Sequence, residues 1–158
     1  MQYKKLDSQT IDLYLDFLRK AIELEPDEMM LEEIDEEGIK RRINDQFFQK
    51  TSSILAIERD KVVGRIEYHF YGCIQDGYKM AYVDWVYVLP EYRHKGIAQG
   101  LFKEFEKECI SFGIDQYYLI RSEDEKADRF YNAFENAELS KEPLLRKYIG
   151  NKDEALTK

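Results

Sequence analysis

Val88-Leu89-Pro90-Glu91-Tyr92-Arg93-His94-Lys95-Gly96-Ile97-Ala98 joins an apolar, β-branched strand that ends at Pro90 to a helix that opens at Gly96. A strand running into a helix N-terminus gathers backbone N–H groups without acceptors, with the positive end of the helix dipole behind them, and such a place holds phosphate. Arg93, His94 and Lys95 add positive charge in the same turn. A plain strand-to-helix turn that carries basic residues fits the same letters, because short phosphate-loop patterns also arise by chance.

Working outward, Lys79–Val88 reads as the long strand entering this turn. Ala98, Leu101, Phe102, Phe105, Cys109 and Phe112 form the buried stripe of the helix leaving it, which Gly113 ends. Upstream, residues 2–7 read as a first strand. Asp7 or Ser8 then caps a helix whose apolar positions are Ile11, Tyr14, Leu15, Leu18 and Ile22. Pro26 and a run of acids interrupt it, and a second helix carries Ile39, Ile43 and Phe47 on one stripe. Ser53–Glu58 and Val62–Phe70 make a hairpin joined at Arg59-Asp60-Lys61, and Gly72 and Gly77 bracket the next loop. Downstream, residues 115–121 are a strand. Ala127, Phe130, Tyr131 and Phe134 mark a helix starting near Ser122 or Asp124, and Leu144–Ile149 is a last strand. The order β-α-α-β-β-β-α-β-α-β is an α/β (α+β) sandwich, a mixed sheet with flanking helices. Residues 1–150 are expected to form one domain and 151–158 a frayed tail.

A chain of 158 residues is long enough for one domain with a real core, and 44% hydrophobic with 14% aromatic residues excludes a disordered chain. The net charge of −8 argues against a nucleic-acid partner, which needs a basic face, and leaves room for a cationic one. No apolar run approaches a membrane span and the start has no apolar signal region, so a cytoplasmic protein with no membrane partner is expected. Cys73 and Cys109 match no metal spacing, His69 and His94 suggest no metal pair, and no metal is implied.

Val-x-Pro-Glu-Tyr-Arg-x-x-Gly-Ile-Ala resembles the Arg/Gln-x-x-Gly-x-Gly/Ala motif of the GNAT acetyltransferase superfamily, with Arg93, Gly96 and Ala98 at the defining positions. The resemblance is strongest over residues 80–134 and is weaker toward aminoglycoside 6′-N-acetyltransferase-like members. It implies the GNAT fold, with a largely antiparallel sheet, and acetyl-CoA as cosubstrate. The pyrophosphate would lie on Arg93, His94, Lys95, Gly96, Ile97 and Ala98, mostly through backbone amides, and the pantetheine arm along Val86 and Val88. Ala127-x-x-Phe130-Tyr131 is similar to the family stretch whose tyrosine lies near the coenzyme sulfur, which makes Tyr131 the candidate general acid; a core aromatic is the structural alternative. Asp124 stands where the family usually has Asn, as a cofactor contact or simply a helix cap. Glu135-Asn136 replaces the usual Gly-Phe, with Asn136 suited to a left-handed cap. Relatives are often dimers, so a homodimer is a further expectation.

Acyl transfer from a thioester to an amine requires a held donor, loss of a proton from the ammonium, a stabilised oxyanion and protonation of the leaving thiolate. Family resemblance gives the oxyanion a strand amide near Val86. Asp84, an acid in an apolar strand, is a candidate base or amine binder; Glu67 on the neighbouring strand is its rival, and a structural salt bridge is the alternative for Asp84. Strict alternation puts Asp84 on the face of Val86 and Val88. The acids Glu23, Glu25, Asp27, Glu28, Glu32, Glu33, Asp35, Glu36 and Glu37, with no Lys or Arg among them, are either a solvated loop or a wall that attracts a cationic acceptor. Tyr71, Tyr78 and Trp85 offer flat surfaces to an acceptor, although Trp85 suits the core. No Ser-His-Asp or Cys-His arrangement points to a covalent acyl-enzyme. The expected function is N-acetyl transfer to a small cationic amine, aminoglycoside or polyamine, by direct attack. A peptide or protein amine is the alternative acceptor, and a non-catalytic coenzyme A sensor the contrasting class.

Overall fold

Arg59 and Asp60 both take left-handed backbone, φ 49° and 59°, the conformation of a two-residue turn whose twist matches that of its flanking strands. They join β2 (Thr51–Glu58) to β3 (Lys61–Gly72). In the computed structural model, which describes residues 1–29, 33–122, 124–141 and 143–147, this hairpin is the middle of a five-stranded sheet. Its order is β1 (Gln2–Lys5), β2, β3, β4 (Lys79–Val88), β5 (Gln116–Leu119). Every neighbouring pair is antiparallel except β4–β5, which is parallel and needs a crossover. That crossover is α4 (Ile97–Phe112). The sheet is thus mixed and largely antiparallel, with helices against it, as the sequence leads one to expect. The chain divides into two compact units, Met1–Ile120 and the residues from Arg121 onward.

In the first unit, α1 (Ile11–Leu24) buries Tyr14, Leu15, Phe17, Leu18 and Ala21 with Leu55, Ile57, Val62, Tyr87 and Leu89 of the sheet. On the other face, Phe105 of α4 packs its ring 4.7 Å from Tyr68 and 5.0 Å from Tyr117. No helix among the described residues is long and apolar enough to cross a membrane.

Several expectations are corrected by local chemistry. Helix α1 starts at Ile11 with Thr10 as N-cap, because the Asp7 carboxylate accepts from the Gln9 and Thr10 amides (2.8 and 3.1 Å) and caps the preceding turn instead. Pro26 starts a one-turn helix, α2 (Pro26–Met29), and Asp35 caps α3 (Glu36–Arg42) by accepting from the Gly38 amide at 2.8 Å. The Ile39–Ile43–Phe47 stripe is broken: Asp45 accepts from the Phe47 amide, a separate 3-10 turn forms at Gln46–Phe48, and Phe47 is 87% exposed. Phe112 is likewise 55% exposed, so the stripe of α4 ends at Cys109. In the second unit α5 (Glu125–Tyr131) stops before Phe134, and Asn136 is left-handed at φ 56°. Residues 144–147 form no strand; Tyr148 and Ile149 of the expected last strand, and the 151–158 tail, lie outside the described residues.

Asp84 breaks the alternation of β4. Glu67 pairs with Trp85 and Tyr68 with Val83, which leaves Asp84 as the extra residue of a β-bulge. Val86 and Val88 share a face with their partners Ile66 and Gly64, toward α4. Asp84 turns the other way, where its Oδ2 comes within 3.6 Å of His69 Nε2. The expectation that Asp84 shares the face of Val86 and Val88 is therefore wrong, because one inserted residue shifts a period of two by half a cycle.

Candidate active site

Strand β5 pairs with β4 only from Met80 to Val83. Beyond that point β4 runs on through Val86 and Val88 with no strand on that side among the described residues, leaving an open edge that leads to the basic turn. Pro90–Tyr92 form a 3-10 turn, closed when the Tyr92 amide donates to Leu89 O (2.9 Å) and the Arg93 amide to Pro90 O (3.2 Å). His94 (φ 60°) and Gly96 (φ 76°) are left-handed. The first helical N–H bond is Gly100 to Gly96 O, 3.0 Å. Among the described residues, nothing accepts from the amides of His94, Lys95, Gly96, Ile97, Ala98 or Gln99. Successive N–H groups in a turn with left-handed residues, at the start of a helix with no acid in its first turn, make a candidate anion site. A Cβ on Gly96 would meet nothing within 4 Å, so the turn opens outward at that point.

The cations of the turn behave differently from the amides. Lys95 Nζ donates to Glu91 O at 2.8 Å and lies 4.9 Å over the Tyr92 ring. The Arg93 guanidinium donates to Val88 O and to the carboxylate of Glu25. His94 is exposed.

On the face of the sheet that α1 partly covers, β3 presents Arg65, Glu67 and His69 at alternate positions. Arg65 is only 8% exposed. Its Nη1 donates to the Tyr14 hydroxyl (2.5 Å) and to Glu67 Oε2 (3.1 Å), and its guanidinium lies 5.5 Å from the Trp85 ring centre. Ser53 Oγ also donates to Glu67, at 2.9 Å. Glu67 is thus the counter-charge of a buried cation. Asp84 is different: its side chain is 45% exposed, and its one ionic partner among the described residues is His69. His69 Nδ1 in turn lies 2.9 Å from Thr51 Oγ1, and its ring stacks on Tyr82. The sequence reading did not place His69 beside Asp84; the run of polar residues at 65, 67 and 69 on an otherwise apolar strand was the signal.

Part of the acidic run is paired within the protein, while Asp27, Glu28, Glu33 and Glu37 are exposed. Glu23 pairs with Lys20 (3.1 Å), Asp35 caps α3 and meets Arg42 (3.3 Å), Glu36 holds Arg19 (2.6 Å), and Glu25 takes Arg93 and the Tyr87 hydroxyl. Glu32 lies outside the described residues.

In the second unit, Asp124 caps α5 by accepting from the Lys126 and Ala127 amides, 2.8 and 2.9 Å. The Ser122 hydroxyl and those amides hold its carboxyl below the usual range. Tyr131 ends the same helix, against Phe130 and Phe134. Burial pushes its phenol above the ordinary range, with the Arg121 charge opposing.

A strand edge that runs, among the described residues, unpaired into an amide-lined turn is an arrangement suited to a phosphate-bearing ligand. The chain belongs to the acetyltransferase (GNAT) family, whose family model matches residues 11–135. It is accordingly an acyltransferase that uses acetyl-CoA. Among solved structures it is similar to an aminoglycoside acetyltransferase from an uncultured soil metagenomic sample, in complex with sisomicin (TM-score 0.76, 14% identity, 96% of each chain covered). It is also similar to a ribosomal-protein-alanine N-acetyltransferase from Brucella melitensis biovar Abortus 2308 (TM-score 0.71, 16% identity, 93% of this chain and 100% of that one). A third is the aminoglycoside N-acetyltransferase AAC(6')-Iy in complex with CoA (TM-score 0.65, 16% identity, 94% of this chain and 100% of that one). At these identities the likeness establishes the fold. Comparison with curated proteins by sequence gives no match.

Proposed function

We propose that the enzyme acetylates a primary amine of a small cationic acceptor, of aminoglycoside or polyamine type, by direct attack with both substrates bound. The observation that carries this reading is Asp84. The bulge lifts its carboxylate out of the apolar face of β4, leaves it half exposed, and gives it no Lys or Arg partner among the described residues. A carboxylate in that position binds an ammonium and then takes its proton. His69, 3.6 Å away, is the next basic group along the face. Glu67, bound to Arg65 and Ser53, serves as counter-charge rather than base.

Acetyl-CoA supplies the activated acyl group. Val86 and Val88 line the arm of the donor, the amides of His94 to Ala98 take its pyrophosphate, and a strand amide near Val86 faces the developing oxyanion. Tyr131 donates the proton to the leaving thiolate. Burial raises its pKa and so makes the phenol a weaker acid, which leaves this role resting on the resemblance of Ala127-x-x-Phe130-Tyr131 to the family stretch whose tyrosine hydroxyl lies close to the sulfur. Asp124 acts by capping the helix that carries Tyr131.

The test is thiol release from acetyl-CoA across aminoglycosides, polyamines and short peptides. Acceptor-dependent release with cationic small amines preferred is the expected result. Preference for neutral or acidic amines would end the cationic reading. Preference for peptide α-amines would move the acceptor to the peptide class, which the fold shared with the Brucella enzyme also accommodates.

A further inference from the structure

Arg93 stands at the head of the donor turn with its guanidinium directed into the protein. Nε donates to Val88 O at 2.9 Å, Nη1 donates to Glu25 Oε1 at 2.9 Å, and Nη2 donates to Glu25 Oε2. The Tyr87 hydroxyl donates to the same Oε2 at 2.8 Å, and the guanidinium lies 5.4 Å over the Tyr87 ring. Glu25 is the C-cap residue of α1, so a bidentate pair ties the end of that helix to the last residue before the run of unclaimed amides. The Arg93 amide is spent as well, on Pro90 O. Arg93 thus has its amide, its Nε and both terminal nitrogens donating to protein oxygens. The amides that follow it have no acceptor among the described residues.

We propose that Glu25 is a positioning residue for the donor turn: paired with Arg93 it forms a strut that fixes where the amides of His94 to Ala98 point, and those amides, not the Arg93 guanidinium, bind the pyrophosphate. This rests on the donor-turn reading above. The geometry is one that only a planar fork fulfils, since Arg93 must reach two carboxylate oxygens and a strand carbonyl at once. The strut also withdraws Glu25 from any acidic wall that faces an acceptor. The sign of one measurement separates the strut from its rival. If Glu25 positions the turn, neutralising it weakens coenzyme binding. If Glu25 merely competes with phosphate for Arg93, neutralising it frees a cation and strengthens binding.

The experiment is calorimetric titration of coenzyme A into the full chain, as wild type, Glu25→Gln, Arg93→Lys and the double variant, with thermal unfolding of each without ligand. The strut predicts roughly tenfold weaker binding in each single variant, the scale of one charge-assisted hydrogen bond. The double variant should be little worse than either, because both remove the same connection. Thermal midpoints should change far less than a general loss of packing would require. With an acceptor in hand, the loss should fall on KM for acetyl-CoA rather than on kcat. Unchanged or tighter binding in Glu25→Gln, or additive losses in the double variant, would overturn the proposal. Wild-type protein that does not bind coenzyme A would overturn the donor turn itself, and the positioning role with it.

Discussion

Gly96 and Gly113 sit at the two ends of α4, both left-handed, with φ 76° and 64°, and alanine at each asks two different questions. An alanine in that conformation costs about 1–2 kcal/mol, offset by about 0.4–1 kcal/mol from a less flexible unfolded chain. Neither site adds a steric cost. A Cβ at Gly96 meets nothing within 4 Å, and one at Gly113 has Lys79 Nζ as its nearest neighbour at 3.8 Å. Each variant should therefore lose about 1 kcal/mol, or about 2–4 °C in thermal midpoint. Coenzyme binding should separate them. The new methyl of Gly96→Ala projects from the amide turn, where a pyrophosphate needs close backbone approach. Affinity for coenzyme A should fall about tenfold or more, equivalent to one charge-assisted hydrogen bond. Gly113→Ala, at the far end of a 16-residue helix, should bind as wild type. Thermal melts and calorimetric titration of both proteins make the comparison. Equal affinity losses in the two variants, or no loss in Gly96→Ala, would refute the assignment of the turn as the donor site.

Asp84→Asn should lower kcat by about 10²–10³-fold, the scale of a lost general base, with coenzyme affinity retained. Glu67→Gln should instead lower stability by about 1–3 kcal/mol once its partial exposure is allowed for, read as a lower thermal midpoint, because Arg65 loses its counter-charge; matching kinetic losses in both variants would void the distinction between them. Tyr131→Phe should reduce kcat by about 10²-fold while calorimetry shows unchanged coenzyme binding, and an unaltered kcat would remove Tyr131 from the chemistry. At alkaline pH the buried Tyr68 and Tyr87 matter. Burial first, then donation to Glu108 (2.6 Å) and Glu25 (2.8 Å), raises both phenols well above the ordinary range. A folded pKa above the unfolded one means that the stability is fully present below pH ~10 and is lost as pH rises toward the folded value, at up to about 1.4 kcal/mol per pH unit per group. Urea denaturation between pH 8 and 11.5 should show that decline, with a shallower slope in Tyr68→Phe; a flat profile would contradict it.

What could be read from the sequence depended on chemistry between near neighbours. The stop at Gly113, the left-handed Asn136 and the cap at Asp124 all follow from the preferences of single residues for their own stretch of backbone. The turn proposed for the donor was legible as local structure for the same reason, since strand, basic turn and helix start are consecutive. Asp84 shows where that ends. Whether an acid in β4 faces α1 or α4 depends on the register with β3, and a bulge is a property of two paired strands, not of one. Glu25 and Arg93 are 68 residues apart in sequence, and His69 and Thr51 are 18 apart on different strands. The sequence by itself determined the strand–turn–helix run around Gly96 and the fold that surrounds it. Only the tertiary structure decided that of the two strand carboxylates Asp84 is left the more exposed and Glu67 is neutralised, because ion pairs form between side chains that the sheet and helices bring together from different parts of the chain.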